Sequence, residues 1–372
     1  MKALRMVALL VSVVLVAVVA WAVVRRATGP DRDGDPVAGC VGEQTRVSGV
    51  IGSEKSPYLN DPRVLARLSC LGLTLVVDSK GSRDMVNTLS NDAHPYDFAF
   101  PSSTSTAEKI QQLRGVNDTY KPFSSVMVVA TWNPVVTLLK GAGVVTTVQD
   151  RPVVDVNALV ELARKGTRWN QLKGNESSPN NKVVLLRTTD PKDSGSAIQF
   201  VSIASAALNG GRPVSSPADV AKVLPDMCRL MAYQGTKEET SQDLFEQYLS
   251  DKAVRSPIAL IYEQQFLDST SAITVPPDGE HVMLFPNPTV YARHTVVPFT
   301  DAGNQLGRAL DSDEQLQNLA AEYGFRLDGQ ALTDRPEPPV VQEPPEYELL
   351  ESMLLELEKN PSFDDTTGKC AK

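Results

Sequence analysis

The residues with the clearest chemical potential are Ser194, Gly195 and Ser196, inside the stretch Arg187 to Phe200, R-T-T-D-P-K-D-S-G-S-A-I-Q-F. Asp190-Pro191 imposes a turn there, because the residue before a proline is driven out of the helical region. Asp193 or Ser194 can then cap a helix whose apolar face is Ile198, Phe200, Val201 and Ala204. The two serines and the glycine thus sit at a helix N-terminus. Unpaired N–H groups and the positive end of the helix dipole bind anions or carbonyl oxygens at such a place with little further help. The apolar run Val183 to Leu186 precedes the stretch and reads as a strand. The plainer reading of the same residues is a strand–turn–helix junction with a serine cap.

Other chemistries find less support. Ser194-Gly195-Ser196 lacks the G-x-S-x-G form of a nucleophile elbow, and with His94, His281 and His294 as the only histidines a Ser-His-Asp triad would arise only by coincidence of folding. Neither those histidines nor Cys40, Cys70, Cys228 and Cys370 show metal-ligand spacing, so neither a metal nor any other cofactor is expected. The net charge of -9 argues against nucleic acid, which needs a basic face. With 372 residues, 42% of them hydrophobic, the chain can bury a core divided over two lobes.

The elements that would position the site recur in a pattern. Arg46 to Ile51 reads as a strand, followed by Gly52-Ser53-Glu54-Lys55 and a helix starting at Asp61-Pro62. Leu73 to Val77 is a second strand, running into Asp78-Ser79-Lys80-Gly81-Ser82 and a helix through Met85 and Leu89. Tyr96 to Phe100 is a third, followed by Pro101-Ser102-Ser103-Thr104-Ser105-Thr106 and the helix Ala107 to Leu113. Strand, hydroxyl-rich loop and helix, three times over, imply a parallel sheet with helices on its faces. Ligands of such sheets collect beyond the carboxyl ends of the strands, where these loops lie. Further along, Val126 to Thr131, Ile258 to Tyr262, Val282 to Phe285 and Thr295 to Phe299 read as strands. Asp155 to Arg164, Ala218 to Tyr233 (broken or kinked at Pro225), Leu244 to Leu249, Asn304 to Leu310 and Glu314 to Tyr323 read as helices.

The two ends differ from the middle. Met6 to Val24 is an uncharged apolar run of 19 residues, just long enough to span a bilayer. Residues 1–26 are therefore expected to form an uncleaved membrane anchor, with a signal cleaved at Ala20-Trp21-Ala22 as the alternative. Residues 27–45 read as a linker, and the domain is expected outside the cytoplasm, at the cell membrane or, if cleaved, secreted. In that compartment Cys40 and Cys70, which flank the first strand–helix unit, are the preferred disulfide, against a buried thiol at Cys70. Residues 327–372 form an acidic tail. Arg335 to Glu346, rich in Pro and Glu, reads as an extended linker. Tyr347 to Lys359 reads as a helix with Leu350, Met353, Leu354 and Leu357 on one face. That tail is expected to dock on its own body or fray rather than to bind a partner.

Taken in order, several pieces resemble the extracellular solute-binding proteins of the type II periplasmic-binding fold, nearest to actinobacterial membrane-anchored members. They are G-S-E-K after the first strand, D-S-K-G-S-R-D-M at Asp78 to Met85, D-F-A-F-P-S-S at Asp97 to Ser103, V-V-A-T-W-N-P at Val128 to Pro134, G-T-R-W-N-Q-L at Gly166 to Leu172, T-D-P-K-D-S-G-S-A at Thr189 to Ala197, and L-D-S-D-E-Q-L-Q-N-L-A-A-E-Y-G-F-R at Leu310 to Arg326. Some members carry a von Willebrand A domain where this chain has its acidic tail.

The resemblance implies an α/β, two-lobed architecture over residues 46–326 with a ligand cleft between the lobes. Lobe one is expected at about 46–125 plus a return segment after about 285, and lobe two at about 128–285. It carries over as ligand-binding positions Ser53, Ser79, Ser82, Ser102 and Ser103 from lobe one, and Ser194, Gly195 and Ser196 from lobe two; Lys80, among the same loops, is a further ligand-binding candidate for its charge. Tyr262 and Glu263 end a strand at the cleft and are candidates to seal it or to accept from a ligand cation. The expected function is capture of a small polar or anionic solute for uptake or sensing, with a membrane transporter or surface partner. Lys55, Lys80 and Arg83 favour an anion. The alternatives are a membrane-anchored scaffold that keeps the fold without a ligand and, behind it, an exported hydrolase.

Overall fold

Val47, Val50 and Ile51 of the first strand are fully buried, and the sheet grows from that strand in both directions. The computed structural model describes residues 40, 42–91, 95–192, 194–250, 256–268, 275, 279–327 and 335–371. The apolar run Met6 to Val24, the linker before Cys40, His94 and the candidate cap Asp193 lie outside the described residues. Among the described residues no helix is long and apolar enough to cross a membrane.

β1 (Thr45–Ile51) leads into a short helical turn at Ser53–Lys55, α1 (Ser56–Leu59) and α2 (Pro62–Cys70). Asp61 caps α2 by accepting from the Arg63 N–H at 2.7 Å, with proline at the first turn. β2 (Leu73–Ser79), α3 (Ser82–Leu89), β3 (Phe98–Phe100) and α4 (Thr104–Arg114) follow. β2 and β3 both pair with β1 in parallel.

Next come β4 (Tyr120–Trp132), α5 (Asn133–Gly141), the hairpin β5 (Val145–Val148) and β6 (Arg151–Asp155), α6 (Val156–Arg164), α7 (Gly195–Leu208), α8 (Pro217–Tyr233) and α9 (Ser241–Ser250). β7 (Ala259–Tyr262), α10 (Glu263–Leu267), β8 (His281–Asn287) and β9 (Thr289–Pro298) bring the chain back. α11 (Asp301–Ser312) and α12 (Glu314–Glu322) pack on the first lobe. The close fit there is visible at Gly307, where a Cβ would fall on the Tyr120 ring.

The strand order is β2-β1-β3-β9-β4-β8-β6-β5, with β7 also against β4. β3–β9, β4–β9, β4–β8 and β4–β7 are antiparallel, so the sheet is mixed rather than parallel throughout. The parallel pattern holds where strand–loop–helix units alternate and ends where long strands double back on one another.

β4 and β9 are the connection between two separate cores. Phe123 and Val296 belong to one core with Tyr58, Phe98, Phe100 and Phe325. Val126 to Ala130 and Val290 to Ala292 belong to the other, with Phe200, Phe245, Tyr248 and Ile258. The architecture is therefore two α/β lobes joined by crossing strands.

Three local expectations change. Val184 to Leu186 is buried and Val183 half-buried, but the run is no strand: Val183 makes an isolated bridge with Arg168, outside the sheet, and the next contact with the sheet is a single bridge from Arg187 to Ala259 of β7. Of the two expectations at Pro225, the break is not made: α8 runs continuously from Pro217 to Tyr233. The β5–β6 hairpin was not foreseen. Gln149 and Asp150 close it with positive φ of 49° and 61°, a turn usually signalled by Asn-Gly or Asp-Gly.

The tail folds onto the body. β10 (Val341–Gln342) pairs with β9, and α13 (Tyr347–Lys359) follows at the bounds its apolar spacing implies. Leu350, Met353, Leu354 and Leu357 join the second-lobe core. A hairpin of β11 (Ser362–Asp364) and β12 (Lys369–Ala371) ends the described chain, and Cys370 forms a disulfide with Cys228 of α8. The sequence reading overlooked that bond. Cys40 and Cys70 are disulfide-bonded as well, and no cysteine is free.

Because Met353 is fully buried, we expect Met353→Ala to destabilise the protein by about 2–5 kcal/mol, as loss of a core side chain does. Urea unfolding checks this: an unchanged midpoint would mean that the tail is not part of the core.

Candidate functional site

The carboxyl ends of β1, β2 and β3 open onto a cleft of about 140 Å³. Its lobe-one wall is Gly52, Ser53, Glu54, Ser79, Lys80, Gly81, Ser82 and Ser102; its lobe-two wall is Ser194, Gly195, Ser196, Glu239, Thr240, Ser241 and Tyr262. The walls touch. Tyr262 Oη and Ser102 Oγ are 3.1 Å apart, and Gln199 Nε2 donates to the Ser102 carbonyl at 3.4 Å. A Cβ at Gly195 would stand 2.9 Å from Ser82 Oγ and 3.2 Å from Ser102 Oγ, so glycine is what lets the N-terminus of α7 approach α3 this closely. The described structure is a closed one.

Helix ends supply much of the polarity. The first turns of α3 and α7 face the cleft through Ser82, Gly195 and Ser196, and neither helix has a side-chain cap. α4, which follows Ser102, also has none. By contrast α2, α6, α8, α11 and α12 are each capped, by Asp61, Asp155, Ser216, Thr300 and Asp313 (α5 and α13 are uncapped too). Uncapped first-turn N–H groups beside a polar cleft are available to a ligand oxygen. Around them, Ser196 Oγ lies 2.7 Å from Thr189 Oγ1 and 2.9 Å from Ser194 Oγ, a chain of hydroxyls.

A charged cluster underlies this surface. Lys55, which is fully buried, donates to Glu54 and, at 3.1 Å, to Nδ1 of the equally buried His294 of β9. Its ammonium also lies 5.0 Å from the centre of the Phe100 ring. Burial lowers the Lys55 pKa against the opposing pull of Glu54. Burial, helped by the Lys55 charge, holds His294 well below its ordinary 6.5, so it is neutral. With Nδ1 accepting from Lys55, the His294 proton sits on Nε2, an atom without a hydrogen-bond partner among the described residues. Burial also drives Tyr262 upward, with the Glu54 charge adding to it.

Of the positions named from the sequence, Ser53, Ser79, Lys80, Ser82, Ser102, Ser194, Gly195, Ser196 and Tyr262 line this one cleft. Ser103 and Glu263 are not among its lining. Ser103 is fully buried and its hydroxyl lies 3.0 Å from Ser105 Oγ, inside the first turn of α4. Glu263 is fully buried at the lobe junction, accepting from Arg326 Nε at 2.5 Å and Nη2 at 2.7 Å. Lys80 pairs with Asp84 at 3.0 Å. Arg83, read as an anion-binding cation, is instead held by Glu351 and Glu358 of the tail.

The sequence reading missed Glu54 as a lining residue, although it stands inside the quoted G-S-E-K. It also missed Glu239-Thr240-Ser241, a polar run before α9 that no local pattern singles out.

No family model matches the chain, and no curated protein matches it. Solved structures do. The sulfate-binding protein SubI from Mycobacterium tuberculosis H37Rv is 15% identical, covering 86% of this chain and 100% of that one, with a TM-score of 0.55. The apo ferric ion-binding protein A of Pasteurella haemolytica is 12% identical over 84% and 97% of the two chains, with a TM-score of 0.53. The periplasmic binding protein AfuA from Actinobacillus pleuropneumoniae, with fructose-6-phosphate bound, is 12% identical over 84% and 98%, with a TM-score of 0.52. At these identities the likeness is one of fold: the chain has the two-lobed type II periplasmic-binding-protein fold.

The buried histidine makes stability depend on pH in a stated direction. His294 is neutral in the fold but binds a proton near pH 6.5 when unfolded, so the unfolded state holds more protons below that pH. Its contribution is complete above pH 6.5 and is lost as pH falls, at up to about 1.4 kcal/mol per unit. Urea unfolding between pH 5 and 7.5 should show that slope in the wild type and a shallower one in His294→Gln. Equal slopes would mean that His294 accepts a proton in the folded protein.

Proposed function

We propose that this protein is an extracytoplasmic solute-binding protein that captures a small, oxygen-rich polar or anionic solute between its two lobes. One observation carries the reading: hydroxyls from both lobes converge with two uncapped helix N-termini on a single cleft. A ligand there would touch both walls, which is the condition for coupling binding to closure. Lys55 offsets the charge of Glu54 beneath the cleft, leaving the helix dipoles as the groups that favour negative charge, with Lys80 paired to Asp84 and Glu239 opposing at the wall. Two of the fold neighbours, the sulfate-binding protein and the fructose-6-phosphate complex, are named for oxyanion ligands, which supports the same ligand class.

The apolar run Met6 to Val24 supports tethering at the outer face of a membrane, and delivery to a membrane transporter fits such a receptor. The membrane-anchored kind of solute-binding protein is the subtype we favour on that ground. A ligand-free scaffold is the less favoured reading, because it gives no role to hydroxyls gathered on one cleft.

A thermal-shift screen of sulfate, phosphate, molybdate, sugar phosphates, sugars and amino acids tests this. A true ligand at 100 times its Kd stabilises by about 2.7 kcal/mol. Ser102→Ala and Ser196→Ala, one on each wall, should each weaken binding by roughly 1–3 kcal/mol. The two losses should not add if both serines hold one ligand. Silence across the whole screen would overturn the proposal, and additive losses would place the two serines on separate ligands.

A further inference from the structure

α13 belongs to both lobes, by different kinds of bond. Towards lobe two it presents Leu350, Met353, Leu354 and Leu357, all buried in that lobe's core, and the hairpin after it is joined to α8 through Cys228–Cys370. Arg229 of α8 also lies over the Phe363 ring of that hairpin, 4.4 Å from its centre. Towards lobe one it presents carboxylates. Glu351 takes Arg83 of α3 in a two-point pair, at 2.8 Å from Nε and 2.6 Å from Nη2, and Glu358 takes Nη1 of the same guanidinium. Glu348 takes Lys109 of α4 at 2.8 Å, and Tyr347 packs on the lobe-one cluster of Met85, Val86 and Ala107.

The lobes cannot separate while all of these contacts persist. The apolar face and the disulfide hold α13 to lobe two, because breaking them exposes core surface or requires a reductant. The ion pairs to lobe one are the weaker side. Glu348 is largely exposed, and on opening water can solvate Arg83, Lys109 and their carboxylates in place of each other. Arg83 is next in sequence to Ser82, which lines the cleft, so whatever holds Arg83 also holds a cleft wall.

We propose that α13 is a built-in electrostatic latch: it stays on lobe two and holds the cleft shut by gripping Arg83 and Lys109 of lobe one. Opening means release of those two cations, and rising ionic strength, which screens such pairs, shifts the balance towards the open form. The proposal deepens the ligand-cleft reading by naming what regulates the cleft, but it is read without ligand. A failed ligand screen therefore leaves it standing, and its failure leaves that reading intact.

Hydrogen–deuterium exchange of the unliganded full chain tests it. In Glu351→Gln/Glu358→Gln, the cleft segments 79–86 and 194–200 should exchange faster by on the order of five- to tenfold, while α13 keeps its protection. Lys109→Gln should do the same to a smaller extent, and 0.5 M NaCl should bring the wild type towards the variants. Unchanged exchange in both cleft segments overturns the latch. So does loss of protection confined to α13, which would make the pairs mere anchors of the tail. If the double variant loses protection everywhere through unfolding, the same cleft criterion is applied to Lys109→Gln, where no change in the cleft overturns the latch.

Discussion

The antiparallel pairing of β4 with β9 is the constraint on which the rest of the structure depends. Five paired positions, from Tyr120 opposite Val296 to Val126 opposite Tyr291, carry both chain crossings between the lobes, with a register shift between Tyr120 and Phe123. Each strand begins in one core and ends in the other. Phe123 stacks on Phe325 at 4.2 Å and meets Tyr58 in a T-shaped contact, so the lobe-one end of the crossing is fixed by aromatic packing. Arg326 pairs its backbone with Ser124 and its side chain with Glu263, bringing the last segment of the body to the same junction.

That junction holds two buried charge systems, Glu263–Arg326 and Glu54–Lys55–His294. Buried pairs seldom add stability over well-packed apolar groups, because desolvation consumes the Coulomb gain. Removing one partner is another matter, since it strands the other charge. Their joint effect is to define one arrangement at the place where the lobes meet. Neutral His294, accepting from Lys55, lets the ammonium be buried without a second carboxylate. The cleft above is left with hydroxyls and helix N-termini as its main polar groups, a surface on which many small oxygenated solutes could form hydrogen bonds from both sides.

The tail packs against both lobes beside the cleft. Of the two outcomes expected for the tail, docking on the body or fraying, it docks: α13 completes the second core and neutralises Arg83. A guanidinium that would have given the cleft mouth positive charge is enclosed by two glutamates of the same chain. The tail thus pairs a charge near the site and touches both lobes.

Local patterns determined a great deal here. The strands that begin at Thr45, Leu73 and Phe98, their hydroxyl-rich loops, and the bounds of α13 are legible because apolar periodicity and capping residues act within a few positions of one another. The same logic, joined to the family resemblance, placed nine of the cleft residues, since loops at the carboxyl ends of such strands must face a common edge. What it could not reach depends on contacts between distant residues. Whether Ser102 or Ser103 faces the cleft is a matter of which hydroxyl the first turn of α4 turns inward. Whether Glu263 serves a ligand or Arg326 depends on a residue 63 positions away. Val183 to Leu186 is apolar enough for a strand, yet only tertiary packing decides that no neighbour runs alongside it. Arg83 met Glu351 and Glu358 across 268 and 275 positions, and Cys228 met Cys370 across 142, for the same reason: composition sets what a side chain can do, and the folded chain alone sets what stands opposite it.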